Sequence, residues 1–200
     1  MRKFSSMALV LVILAAGVAS AQQPKRDKAA EQKAAMEAMM RAAAVGPEHK
    51  QLDVMAGTWD TKVKFWPETG APAMESTGTA VNEWVLGGRW LQQKFEGSMM
   101  GAPFSGIGYT GYDNIRKTYV GTWMDSMSTQ VMSSSGGVGA SGNNTYSFTA
   151  SMLDPVSGEP TSADEKVRII DKDHHVFEMW GPDIDGKIYK MMEITYTRKK

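Results

Sequence analysis

The sequence contains no cysteine, and this absence removes several classes of chemistry. A chain without thiols forms no disulfide, no thiolate metal site and no cysteine nucleophile. Histidine is scarce as well, with three residues in 200: His49, His174 and His175. The sequence therefore predicts a fold that is held by its apolar core and its backbone hydrogen bonds.

The chain also lacks an excess of charge of either sign. Lys and Arg together number 22, and Asp and Glu together also number 22. Nucleic acids and anionic membranes attract clustered basic residues, so neither is predicted as a partner. Beyond the N-terminal segment, no apolar run approaches the roughly 20 residues that span a bilayer. We therefore expect no membrane insertion of the mature form.

The first 21 residues have the pattern of a cleavable signal peptide. Arg2 and Lys3 give a positive start, Met7–Val18 is a short apolar run, and Ala19-Ser20-Ala21 is a small-x-small cleavage site. The pattern predicts cleavage after residue 21, a mature chain that begins at Gln22, and a periplasmic or secreted location.

Residues 22–46 are predicted to form an N-terminal helical extension, with the helix itself over Lys28–Val45. This stretch is rich in Ala, Met, Glu and Lys, which favour helices, and Gly46-Pro47 ends it. One side of the helix carries Met36, Met39 and Met40. We expect this side to dock on a surface, either the rest of the chain or a protein partner; a copper site built from these thioethers is the less favoured interpretation.

From Gly57 onward the pattern changes to the two-residue period of half-buried strands. Turn residues separate about ten segments, near 57–66, 73–86, 89–97, 103–113, 117–125, 128–134, 144–152, 163–171, 174–181 and 187–198. Successive strands joined by short turns favour a sheet that closes on itself. We therefore predict an all-β fold: an antiparallel up-and-down β-barrel over residues 47–200, with a loop at Ser133–Asn144.

Five segments together carry a resemblance to a known family. They are Gly-Thr-Trp-Asp at 57–60, Val-Leu-Gly-Gly-Arg at 85–89, Gly-Tyr-Asp-Asn at 111–114, Tyr-Val-Gly-Thr-Trp at 119–123 and Met-Glu-Ile-Thr-Tyr-Thr-Arg at 192–198. In this order, they resemble the bacterial DUF1579 family over roughly Glu48–Arg198. The family has no established activity, so the resemblance implies a domain and no reaction.

A broader similarity is to calycin-like barrels such as lipocalins, in which Gly-x-Trp on the first strand faces a late Arg. Gly57-Thr58-Trp59 and Arg198 occupy these positions here. The resemblance implies that Trp59 and Arg198 close one end of the barrel. It also implies a hydrophobic cargo, by analogy of fold.

A barrel of this size has room for one small ligand. The residues that we expect to line such a cavity are Gln93, Tyr109, Trp123, Met179 and Glu193. The sequence leaves two orientations open for Glu193, because both faces of its strand carry apolar groups. Facing inward it is a buried carboxylate with a raised pKa; facing outward it is an ordinary solvated charge.

No metal site and no cofactor are predicted. His174 and His175 are adjacent on a strand and face opposite sides, so they do not easily share one ion. His175 on an inward face is the one candidate haem ligand, but nothing else in the sequence favours haem.

The sequence predicts an exported binding protein for a small apolar or amphipathic molecule, with no catalytic residue assigned. No Gly-x-Ser-x-Gly nucleophile motif is present. Two alternatives stay open: an enzyme that acts on a lipid-like substrate through a buried Glu or Tyr, and a filled barrel that serves as a protein-interaction module.

Overall fold

The computed structural model describes residues 27–138 and 144–200. The predicted signal peptide lies outside these residues. The described chain divides into two units between Glu37 and Ala38, and the barrel belongs to the second.

Helix α1 spans Lys28–Ala43 and so ends two residues before its predicted end. Asp27 caps it by accepting hydrogen bonds from two backbone N–H groups of the first turn, at 3.1 and 3.3 Å. No residue of α1 is buried, and Met39 and Met40 are 67% and 68% exposed, so docking of this side on a protein partner stays a prediction. No helix in the described parts of the chain is long and apolar enough to cross a membrane.

Ten strands of the described chain form one closed antiparallel barrel, in which each strand pairs with the next and the last pairs with the first. They are β1 (Gly57–Phe65), β2 (Met74–Val85), β3 (Trp90–Met99), β4 (Ala102–Asp113), β5 (Thr118–Asp125), β6 (Met132–Val138), β7 (Thr145–Leu153), β8 (Pro160–Ile169), β9 (His174–Pro182) and β10 (Ile188–Arg198). The predicted up-and-down barrel is confirmed.

Alternation along each strand decides which side chains face inward. In β1, Trp59, Thr61 and Val63 are buried, whereas the charged residues between them are exposed. The interior is therefore the apolar face that the two-residue period indicated.

The first part of the segment Ser133–Asn144, predicted as a loop, differs from that expectation, and residues 139–143 lie outside the described residues. Strand β6 occupies its first half, and Ser135 pairs with Val120 on one side and with Thr149 on the other. Ser and Gly do not favour a strand by themselves. Backbone hydrogen bonds to a neighbouring strand on each side stabilise this one.

One end of the barrel, the base, is closed by residues 47–55, which we call the base plug. The plug consists of α2 (Pro47–Lys50) and a 3₁₀ helix (Gln51–Met55). Leu52 is fully buried beneath the barrel, and the Tyr146 hydroxyl donates a 2.8 Å hydrogen bond to the Gln51 carbonyl. The opposite end, the mouth, is formed by the turns between β1 and β2, β3 and β4, β5 and β6, β7 and β8, and β9 and β10.

Trp59 and Arg198 meet at the base. Trp59 is fully buried, and the guanidinium carbon of Arg198 lies 4.1 Å from the centre of its ring. The same guanidinium donates hydrogen bonds to the backbone carbonyls of Val54, Ala56 and Lys172, at 2.9, 2.7 and 2.8 Å. This is the arrangement that the calycin-like resemblance implies.

Candidate functional site: the barrel cavity

Between the base plug and the mouth, the barrel encloses a cavity of about 420 Å³. Most of its lining is apolar, including Val63, Phe95, Phe148, Phe177, Met192 and Ile194. Small-ligand sites usually measure roughly 300–1,000 Å³ and have such a lining with a few polar groups. The interior is thus not completely filled by side chains.

The cavity reaches solvent at the mouth. Met99, Met100 and Met127 belong to the lining at that end, and Met100 and Met127 are 54% and 56% exposed. Methionine side chains are unbranched and change rotamer readily, so this rim can adapt to a ligand that enters.

Two glycines make room for the Trp123 ring on the inner wall. A Cβ atom added at Gly106 or Gly108 would lie 2.2 or 2.9 Å from the indole. The ring therefore lies directly over the backbone of β4, and its Nε1–H donates a 3.0 Å hydrogen bond to Asp125. These two glycines therefore keep Trp123 against the wall and leave the cavity open.

Of the five residues predicted to line the cavity, Gln93, Trp123 and Met179 do so. Tyr109 and Glu193 do not, and their expected position is wrong. Tyr109 lies on the outward face of β4, next in sequence to the lining residue Gly108, and its hydroxyl accepts a 2.6 Å hydrogen bond from the Gln92 side chain.

Glu193 lies on the outward face of β10, in a cluster of charged side chains. Lys190 Nζ lies 2.6 Å from one Glu193 carboxylate oxygen and 2.5 Å from a Glu178 oxygen. Their opposite-face neighbours Met192 and Ile194 line the cavity instead. Because both faces of β10 carry apolar groups, the sequence left the orientation of Glu193 open. In the structure, the Glu193 carboxylate faces outward and pairs with Lys190.

Glu165 is the buried carboxyl that the sequence reasoning missed. It lies on the inward face of β8, is 6% exposed and lines the cavity. Burial raises the pKa of Glu165 to about 7, although a hydrogen bond from the Ser134 hydroxyl opposes this shift. A signal for it was present: Glu165 shares a face with Ala163 and Val167, whereas the opposite face of the strand is charged.

A second polar group of the lining lies next to the base plug. Asn82 is 4% exposed and donates a 2.7 Å hydrogen bond to the Met55 carbonyl. Gln93 Nε2 in turn donates to Asn82 Oδ1 at 3.1 Å. Burial raises the pKa of Tyr196, which bonds to Gln93, so its phenol stays protonated. These groups largely satisfy one another.

His175 faces inward and His174 faces outward, as adjacent strand residues do. The imidazole of His175 lies edge-on to Trp59 with 4.4 Å between ring centres, and it stacks on Tyr196 at 4.2 Å. Burial, and then the charge of Arg198, lower the pKa of His175 to about 3, so its ring is neutral. Its Nδ1 has no hydrogen-bond partner. Across residues 27–138 and 144–200, no group of three or more His, Asp or Glu is arranged to hold a metal ion.

Solved structures with the same fold support this description of the barrel. The crystal structure of Rv2717c from M. tuberculosis matches 78% of this chain and 100% of its own, with a TM-score of 0.59 and 17% identity. The S-type phycobiliprotein lyase CPES from Guillardia theta matches 78% of this chain and 99% of its own, with a TM-score of 0.51 and 12% identity. At these identities the likeness shows the fold and nothing further.

No curated protein matches the chain. A family model matches most of the chain, from Ala44, just after α1, to Arg198, the last residue of β10. That family is described as a protein of unknown function, and its match over residues 44–198 shows that the chain belongs to the DUF1579 family.

Proposed function

We propose that this protein binds one small apolar or amphipathic molecule inside its barrel, and that it does so outside the cytoplasm. The cavity of about 420 Å³, closed at the base and lined mostly by apolar side chains, carries this proposal. Transfer of an apolar ligand from water into such a site is favoured by about 25 cal/mol for each Å² buried.

The polar groups of the lining support binding of a molecule with one polar end. Asn82, Gln93 and Glu165 lie at defined positions among apolar neighbours. A few fixed polar groups in an apolar pocket set the orientation of a ligand more than they set its affinity. We therefore expect a single bound molecule in one orientation.

The first test is native mass spectrometry of the protein purified from its own host. We expect a fraction with added mass that is lost when the protein unfolds. A protein that carries no added mass and also fails to bind the neutral apolar dye Nile red would contradict the proposal.

The second test places the binding inside the barrel with two matched variants. Ile194→Trp fills the cavity, because Ile194 belongs to the lining, whereas Ile107 is 41% exposed on the outer surface. We expect Ile194→Trp to abolish Nile red binding and Ile107→Trp to leave it unchanged, with thermal melts confirming that both fold. Equal loss in both variants would argue against a site in the cavity.

Export is supported by the signal-peptide pattern of residues 1–21. The test is the intact mass and cell fraction of the protein in its host. We expect a mature chain that begins at Gln22 in the periplasm or the medium. Full-length protein confined to the cytoplasm would contradict this part of the proposal.

A further inference from the structure

We propose that the cavity selects a small apolar molecule that carries a protonated amine, and that Glu165 is the group that binds this amine. The inference rests on the proposed function and adds the chemical class of the ligand. It depends on the charges of the lining, on the capacity of Glu165 for further hydrogen bonds, and on the partners of two partly buried cations.

The ionisable groups of the lining are acidic or neutral. Among the described residues that line the cavity there are two carboxyl groups, Asp125 and Glu165, one neutral imidazole, His175, and no Lys or Arg. A low-dielectric cavity with this composition favours a positive ligand over a negative one.

The two carboxyl groups differ in how well they are satisfied. Asp125, near the mouth, accepts hydrogen bonds from the Trp123 indole at 3.0 Å and from the Met127 backbone at 2.9 Å. Glu165 is buried and has the Ser134 hydroxyl as its hydrogen-bond donor. Since an ionised carboxylate accepts up to about four hydrogen bonds, Glu165 retains capacity for a donor within the cavity.

Two partly buried cations near the barrel wall are already occupied. Arg198 lies over Trp59 at the base, where backbone carbonyls accept its hydrogen bonds. Lys190 lies on the outer face between Glu178 and Glu193. Since no Lys or Arg is among the described lining residues either, a counter-charge for Glu165 inside the cavity comes from the ligand.

The physical chemistry of a buried carboxyl separates three kinds of ligand. An ammonium group supplies a positive charge and three N–H donors, which favours the ionised carboxylate. An alcohol supplies one donor and no charge. A carboxylate ligand brings a second negative charge into a cavity without a cation, and burial of an unpaired charge is costly.

The test compares decylamine, decanol and decanoate, which share one apolar tail. Binding is measured by displacement of Nile red near pH 8, where an alkylamine with a pKa of about 10.4, like that of lysine, stays protonated. We expect decylamine to bind at least about tenfold more tightly than decanoate, with decanol between them. Decanoate that binds as tightly as decylamine would overturn the inference.

Two variants on the same strand assign the effect to one residue. Glu165→Gln keeps the size of the side chain and removes its charge, whereas Asp164→Asn makes the same change at the exposed neighbour that faces outward. We expect Glu165→Gln to weaken decylamine about tenfold, to strengthen decanoate and to change decanol by less than about threefold. Asp164→Asn should preserve the wild-type order, and an unchanged preference for the amine in Glu165→Gln would overturn the assignment.

These outcomes separate the inference from the function beneath it. Binding of Nile red and decanol with no preference for the amine overturns the inference and leaves the binding protein intact. Failure of Nile red and all three ligands to bind, in protein that also carries no added mass from its host, contradicts the proposed function itself.

Discussion

The guanidinium carbon of Arg198 lies 4.1 Å from the ring centre of Trp59, which connects the last strand of the barrel to the first. Arg198 also donates to the carbonyls of Val54 and Ala56, at the junction between the base plug and β1. One side chain therefore joins both ends of the barrel sequence to the plug that closes the cavity. This arrangement holds the plug to the barrel at the base, and the cavity opens at the mouth.

Replacement of this side chain by lysine should weaken the whole barrel. Lysine carries its donors on one nitrogen and cannot match the fork of Arg198, which reaches three carbonyls. We expect Arg198→Lys to lower the free energy of unfolding by about 2 kcal/mol, measured by urea denaturation. Arg116, whose side chain is 75% exposed, is the control, and Arg116→Lys should change stability by less than about 0.5 kcal/mol. Equal effects of the two substitutions would contradict this account of the base.

Gly57 is required where the base plug enters β1. Its φ is +121°, and a Cβ atom there would lie 2.5 Å from the Arg198 guanidinium. We expect Gly57→Ala to destabilise the fold by about 1–3 kcal/mol. Gly186 also has a positive φ, of +79°, but a Cβ there meets nothing within 4 Å. A thermal melt of Gly186→Ala therefore measures the cost of a positive φ without a steric clash. If Gly186→Ala loses as much stability as Gly57→Ala, the clash with Arg198 does not explain the effect at Gly57.

The barrel could be predicted from the sequence because polar and apolar residues alternate along its strands. In β1 the charged residues fall on one face and the apolar or small residues on the other, and in β8 Glu165 is the exception to the same division. Pattern alone could not orient β10, where both faces carry apolar side chains, and so Glu193 was expected in the lining while Glu165 was overlooked. The sequence predicts a strand near 128–134 and a loop at Ser133–Asn144, whereas β6 spans Met132–Val138, because Ser and Gly do not favour a strand by themselves and pairing with β5 and β7 extends it.

The pH dependence of stability should carry the signature of Glu165. Its pKa is about 7 in the folded protein, against 4.5 as the ordinary value. The folded state thus binds more protons than the unfolded state between these values, so the contribution of Glu165 to stability is lost as the pH rises through this window. We expect Glu165→Gln to gain stability relative to the wild type between pH 5 and pH 8, by on the order of 1–3 kcal/mol. Urea denaturation across this range measures the difference.

The wild-type pH profile has to be compared with that of a variant, because the pKa of His175 is also shifted in the folded protein. Its pKa falls to about 3 in the folded protein, from an ordinary value of 6.5, so it reduces stability as the pH falls through that window. The two residues act in opposite directions near pH 5–6, and the wild-type profile alone hides both. Asp164→Asn provides the baseline, because Asp164 is exposed next to Glu165. A difference between Glu165→Gln and the wild type that stays constant with pH would contradict the burial of an ionisable group there.

Glu193→Gln separates the outer charged cluster from the binding site. Glu193 contacts Lys190 at 2.6 Å on the outward face, and its side chain is 26% exposed. Lys190 keeps its contact with Glu178 in this variant, so we expect a loss of less than about 1 kcal/mol in the free energy of unfolding. The affinity for Nile red should stay within about twofold of the wild type, because no lining atom changes. A large loss of Nile red affinity with unchanged stability would place the binding site on the outer face of β10, where Glu193 lies, and would contradict binding inside the barrel.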